Sequence, residues 1–169
     1  MPHPLVLQLR FTRSEFRRAI AKLSEADARR KVTRMNCISW TVGHLAWQEQ
    51  RYFIYFPTGK ILIPELQEKY AFGSPPSTPP LREMLSAWRK ITKAADKWLD
   101  TLTTKKLLQK VELDGKRTTR VYGNLLQRVI YHYWYHIGED MAVRKILEQH
   151  RGIGYFVGNI DGRAPYTPE

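Results

Sequence analysis

An all-α fold, and within that class a four-helix bundle, is predicted by three observations. Four long stretches carry apolar residues at helical spacing, a proline-rich segment separates the second from the third, and only one short stretch, just before the fourth, alternates like a strand. At 169 residues the chain reads as a single domain, 1–169, long enough to bury a sizeable core.

The first helix is expected from Leu5 to Leu23, with Leu5, Leu9, Phe16, Ile20 and Leu23 on one stripe. Ser24-Glu-Ala-Asp then offers a turn or a short capped helix. Asn36 is a good N-cap for the second helix, which is expected to run to Phe56 and stop at Pro57-Thr-Gly. The connection beyond it holds Pro64, Gly73 and the run Ser74-Pro-Pro-Ser-Thr-Pro-Pro, a proline density that predicts an extended crossover without regular helix.

Thr78, Pro79 and Pro80 suit the start of the third helix, whose inward face is Leu81, Leu85, Trp88, Ile91, Ala95, Trp98 and Leu102. Asp114-Gly115, between short alternating runs in the segment Lys110 to Val121, predicts a small β-hairpin. The fourth helix is expected from Tyr122 to Gln149, with Leu125, Val129, His132, His136, Val143 and Leu147 inward and Asp140 interrupting them. The tail from Gly152 to Glu169 carries Phe156, Val157, Ile160 and Tyr166, which predicts a segment laid against the bundle or against a second subunit.

His132 and His136 stand four residues apart on the fourth helix. That spacing turns the chain by about 40° and climbs ~6 Å, so both imidazoles leave one face, as in His-x3-His zinc motifs. His44, in the second helix, is a third candidate ligand. Three histidines would leave a fourth coordination position open, the pattern of a catalytic rather than a structural metal site. The plainer reading is core histidines packed among Tyr131, Tyr133, Trp134 and Tyr135.

Twenty-eight basic against sixteen acidic side chains leave a net charge of +12, scattered in short clusters without a nucleic-acid-binding motif. Polyanion binding is therefore a minor reading, and nucleic acid is not an expected partner. No apolar run reaches transmembrane length and no signal-peptide pattern is present, so no membrane association is expected. The single cysteine, Cys37, excludes an internal disulfide and, with those absences, predicts a reducing, cytoplasmic location. Lying about two turns from His44, Cys37 reads as a small buried hydrophobe rather than a ligand.

Two motifs, Ser39-Trp-Thr-Val-Gly-His44-Leu-Ala-Trp-Gln-Glu and His132-Tyr-Trp-Tyr-His136-Ile-Gly-Glu, together with the order of elements, resemble the DinB-like superfamily of helical-bundle metalloenzymes. The resemblance covers nearly the whole chain. It implies an up-down-down-up bundle, a homodimer, and a divalent metal, zinc or nickel, on His44, His132 and His136. It also implies a class of activity: S-transferases and isomerases that act on a small molecule with a low-molecular-weight thiol. A fold does not name a substrate.

On that reading a metal-bound water or thiol becomes a nucleophile near neutral pH. Gln48, one turn beyond His44, and Asp140, one turn beyond His136, are the candidate catalytic residues lining the same cavity. Asp140 would orient a ligand histidine, or else pair with Arg144 or Arg51. The alternatives to an enzyme are a non-catalytic, stress-associated interaction bundle and the polyanion binder.

Overall fold

The apolar stripes of the sequence become the walls of one shared core. The structure is a computed structural model, and it describes residues 2–113 and 115–167. Four main helices dominate: α1 (Pro4–Ala19), α3 (Ile38–Glu49), α6 (Leu81–Leu99) and α8 (Tyr122–Ile146). Short helices join them: α2 (Glu25–Arg29), α4 (Phe56–Thr58), α5 (Pro64–Lys69), α7 (Thr104–Leu107) and α9 (Ile160–Arg163). Strands β1 (Lys110–Leu113) and β2 (Lys116–Val121) pair antiparallel just before α8, with Glu112 opposite Arg117. Gly115 takes a positive φ of 75° at the turn, while the expected turn residue Asp114 lies outside the described residues. No described helix is long and apolar enough to cross a membrane.

α3 packs chiefly on α6, and α1 on α8, with α3 and α8 also in contact. Val6, Leu9 and Phe16 from α1, Trp88, Ile91 and Leu99 from α6, and Leu125, Val129 and Val143 from α8 fill the interior. α3 differs from the others, since every residue from Ile38 to Glu49 is buried. Its apolar residues pack on its neighbours, and its buried polar side chains, His44, Gln48 and Glu49 among them, find partners there.

Several boundaries differ from the sequence expectation. α1 ends at Ala19, not Leu23, because the chain leaves the helix through Ile20 and Lys22 adopts a positive φ of 59°. α3 is preceded by Cys37 in the cap position, one residue after Asn36, with no side-chain cap bond. Beyond Glu49 the helix widens into a π-helical segment, Gln50–Tyr55, before α4 ends at left-handed Gly59. The side chain of Gln50 bonds the peptide groups of Leu62 and Ile63, tying this widened turn to the loop after it.

The long connection between α3 and α6 was expected to be extended throughout, yet Pro64 opens the short helix α5. Proline at the first helical position loses no hydrogen bond and brings the right φ. On either side of α5 the stretches 59–63 and 70–80 are without regular structure. α8 ends at Ile146 rather than Gln149, with Glu148 at a positive φ of 58°.

The tail lies along α1. Arg18 donates to the carbonyls of Ile153 and Tyr155 and sits over the Phe156 ring at 4.5 Å. Glu15 accepts from Val157 N–H, and Gln8 donates to the Ala164 carbonyl.

A buried polar network ties the four main helices together. The Arg13 guanidinium makes a two-pronged contact with the Glu49 carboxylate and donates to Asp96 at 2.7 Å. Tyr133 donates to Glu49 at 2.7 Å, and Trp88 Nε1–H donates to the Tyr133 oxygen at 2.6 Å. Burial would lower the Arg13 pKa, but the Glu49 charge outweighs it and holds the guanidinium more firmly protonated.

Candidate metal centre

His44 enters from α3, and His132 and His136 from one face of α8. Their potential ligand atoms all lie within 4.8 Å of one another. Ring centroids are 5.1 Å apart for His44 and His132, 5.3 Å for His44 and His136, and 4.4 Å for the α8 pair. His44 and His136 are buried and His132 is half-buried.

The outer nitrogen of every ring has a partner. His44 Nδ1 lies 2.7 Å from the carbonyl of Tyr70, and His136 Nδ1 lies 2.7 Å from Glu139 Oε2. A carbonyl or a carboxylate can only accept, so both rings carry a proton on Nδ1, and the neutral His44 ring presents a lone pair on Nε2. His132 Nδ1 likewise faces Gln48 Oε1 at 2.9 Å. The Nε2 atoms of His132 and His136 meet at 3.0 Å. Two nitrogens so close need a shared proton or a metal cation between them. Nitrogens ~2.0–2.1 Å from one tetrahedral zinc lie roughly 3.3 Å apart, close to this separation. The donor set therefore fits a divalent ion, and each outer partner is of the kind that orients a metal-bound histidine.

Electrostatics favour the same protonation state. Burial is the main cause pushing the His44 pKa down to about 4, against the Tyr70 carbonyl. Burial also dominates for His132, helped by His136, His44 and Arg128, and lowers it to about 3. Both rings are thus neutral at pH 7, the form that binds metal. Burial would raise the Glu139 pKa, but hydrogen bonds from His136 and Tyr135 outweigh it, and the carboxylate stays charged below its usual range.

Trp40 stacks on His44 at 5.0 Å between centroids, and Trp47 lies 5.2 Å away. These rings wall the protein side of the cluster. On the outer side His132 borders an open groove of about 600 Å³ with Asn124, Gln127, Arg128 and Tyr131. Cys37 is buried, in contact with Ser39 Oγ and the Ser77 carbonyl, and stands outside the cluster.

Of the two residues expected beside the histidines, Gln48 is in contact with His132, whereas Asp140 is buried with its Oδ2 lacking any hydrogen-bond partner. Burial first, then the charge of Glu139, raises the Asp140 pKa well above the carboxylate range, against the pull of Arg144. Neither expected arginine bonds it. Arg144 donates to the carbonyls of Ala19, Ala21 and Gln149, and Arg51 stacks over Trp47 and Phe56. The carboxylate that touches a histidine is Glu139, three residues after His136, a spacing that also puts two side chains on one helix face. Sequence reasoning passed over it, and it could not foresee the Tyr70 carbonyl, a backbone group from a distant loop.

The sequence pattern of the DinB superfamily matches residues 8–139, which takes in α3 and α6, most of α1 and α8, and all three histidines. No match was found among curated proteins. With most of its length matched, and with both histidine motifs inside the matched span, the chain belongs to the DinB superfamily.

Proposed function

We propose that this protein is a divalent-metal-dependent enzyme acting on a small molecule, with His44, His132 and His136 as the ligands. The observation that carries this reading is the set of Nδ1 partners. Tyr70, Gln48 and Glu139 each engage an outer nitrogen, which leaves the three inner ring nitrogens turned toward one another. A bound zinc or nickel ion would supply a Lewis acid that lowers the pKa of water or of a low-molecular-weight thiol. Within the site Glu139 holds the proton on His136 Nδ1, Gln48 aligns His132, and Trp40 and Trp47 exclude water from behind His44. The groove beside His132 is the side from which a substrate reaches the site.

The family resemblance supports the finer parts of this reading: the up-down-down-up order, a thiol-dependent S-transfer or isomerisation, and a homodimer. The tail's contacts with the subunit cover Phe156 but leave Val157, Ile160 and Tyr166 exposed, and the dimer rests on the resemblance. A cytoplasmic location is proposed from the lone cysteine. Asp140 remains a candidate catalytic group through its buried, unpartnered oxygen.

Elemental analysis of purified protein, then a thiol-conjugation screen with and without chelator, tests the reading. One equivalent of metal, lost in His44→Ala, with chelator-sensitive turnover is the expected result. Metal without turnover assigns the non-catalytic interaction bundle. A second reading, polyanion binding, draws on a cleft of about 510 Å³ where Arg17, Arg89, Lys93 and Arg163 gather. Its signature is affinity that falls steeply with salt.

A further inference from the structure

The π-helical segment shapes a second cavity that none of the three histidines lines. It holds about 300 Å³ between Trp47, Arg51, Tyr55, Phe56, Ile61 and Leu113. That is the lower end of the range for small-molecule sites, which are mostly apolar with a few placed polar groups. π-helical turns are rare and concentrate at functional sites.

Its walls are held from outside. Trp47 Nε1–H donates to Gln67 Oε1 at 2.7 Å, which fixes the indole. Gln50 bonds the peptide groups of Leu62 and Ile63, which fixes the rim. Ile61 on that rim is 48% exposed, an apolar side chain in want of cover. The one charge in the lining is Arg51. Its guanidinium lies 5.9 Å from the Trp47 ring centre and 5.5 Å from that of Phe56, and among the described residues no carboxylate pairs with it. A half-buried arginine stacked on two aromatic rings keeps its in-plane N–H fork free for a planar anion.

We propose that this cavity binds a small carboxylate with an aromatic or branched apolar body, the carboxylate on Arg51 and the body against Trp47, Phe56 and Ile61. Carboxylate geometry matches the guanidinium fork, the apolar lining takes the body, and the volume limits its size. Trp47 belongs to both sites, so an occupant here lies against the same indole that backs His44. The cavity itself is independent of the metal reading.

Calorimetric titration with 3-phenylpropionate and its neutral amide, on chelator-stripped and on zinc-treated protein, tests the assignment. Saturable binding of the acid with a Kd of about 1 mM or below is expected in both preparations, with the amide roughly tenfold weaker. Arg51→Met keeps the apolar stem and should bring the acid down to the amide's affinity. Ile61→Asp, on the exposed rim, sets a carboxylate beside Arg51 and should abolish acid binding without disturbing the fold. Equal affinity for acid and amide, or no saturable binding by wild-type protein, overturns the proposal. Binding that vanishes when metal is stripped also overturns it, because the ligand then sits on the histidines. Zinc content read alongside separates failure of this cavity from failure of the metal site.

Discussion

Two polar clusters are built from neighbouring residues on the same two helices, and they are opposite in kind. Glu49 and Tyr133 join Arg13, Trp88 and Asp96 in a network where each charged group faces its complement. Gln48 and His132, one position earlier on each helix, belong to the histidine cluster, where Nδ1 atoms are engaged outward and Nε2 atoms converge. The first cluster is complete without a ligand. The second gathers three histidine nitrogens suited to a cation. Hydrogen-bond saturation, rather than burial or charge, is what distinguishes the two clusters.

The largest expected effect falls on the complete cluster. Glu49→Ala leaves the Arg13 charge buried without its main partner, and urea unfolding should show a loss of about 3–5 kcal/mol. His132→Ala in metal-free protein should change stability by less than about 1 kcal/mol, since the ring is half-buried and carries no charge matched by a buried partner. A severe loss there would break the comparison. Next in size, Glu139→Ala should weaken zinc affinity about 10–100-fold in a chelator competition, as outer partners of metal-bound histidines do. Unchanged affinity would leave Glu139 a surface ion pair.

Acid should expose the difference as well. The folded-state pKa values of His44 and His132, about 4 and about 3, lie below the ordinary value of 6.5. The unfolded chain therefore takes up protons first, and metal-free protein should lose stability as pH falls from 6.5 towards 3. His44→Ala should flatten that dependence in thermal scans across the same window.

The smallest effect concerns Asp140, whose raised pKa has the reverse sign. Its contribution is fully present below the unfolded value near 3.8 and is lost as pH rises through the folded one. Asp140→Asn, which cannot ionise, should gain on wild type as pH rises above that value, again read from thermal scans. A 10–100-fold fall in activity or metal affinity in the same variant would instead tie Asp140 to the metal centre.

What could be read from the sequence was whatever repeats. The stripes of α1 and α6 and the four-residue step between His132 and His136 are periodic, and periodicity survives into the fold. The partner of His136 was not legible, because Glu139 and Asp140 both lie within one turn and only rotamers decide which carboxylate reaches the ring. The pairing of Arg13 with Glu49 was not legible either, since nothing local marks a salt bridge closed across 36 residues. The π-helical turn likewise leaves no compositional trace. It depends on Gln50 meeting a loop a dozen residues on.

The start of α6 has a consequence for how the chain can be cut. Pro80 caps it with no side-chain bond of its own, and the amides of Leu81 and Arg82 are bound instead by the carboxylate of Glu25, in α2. The carbonyls of Ser77 and Thr78 just before it are held by Cys37 and Arg29. Everything after residue 77 is thus moored to the first quarter of the molecule by contacts in space. The peptide bonds around Gly73 and Ser74 hold nothing in place that these contacts do not. A circular permutant opened there, its old termini joined by a flexible linker, should assemble the same four helices, and the two fragments should find each other when mixed.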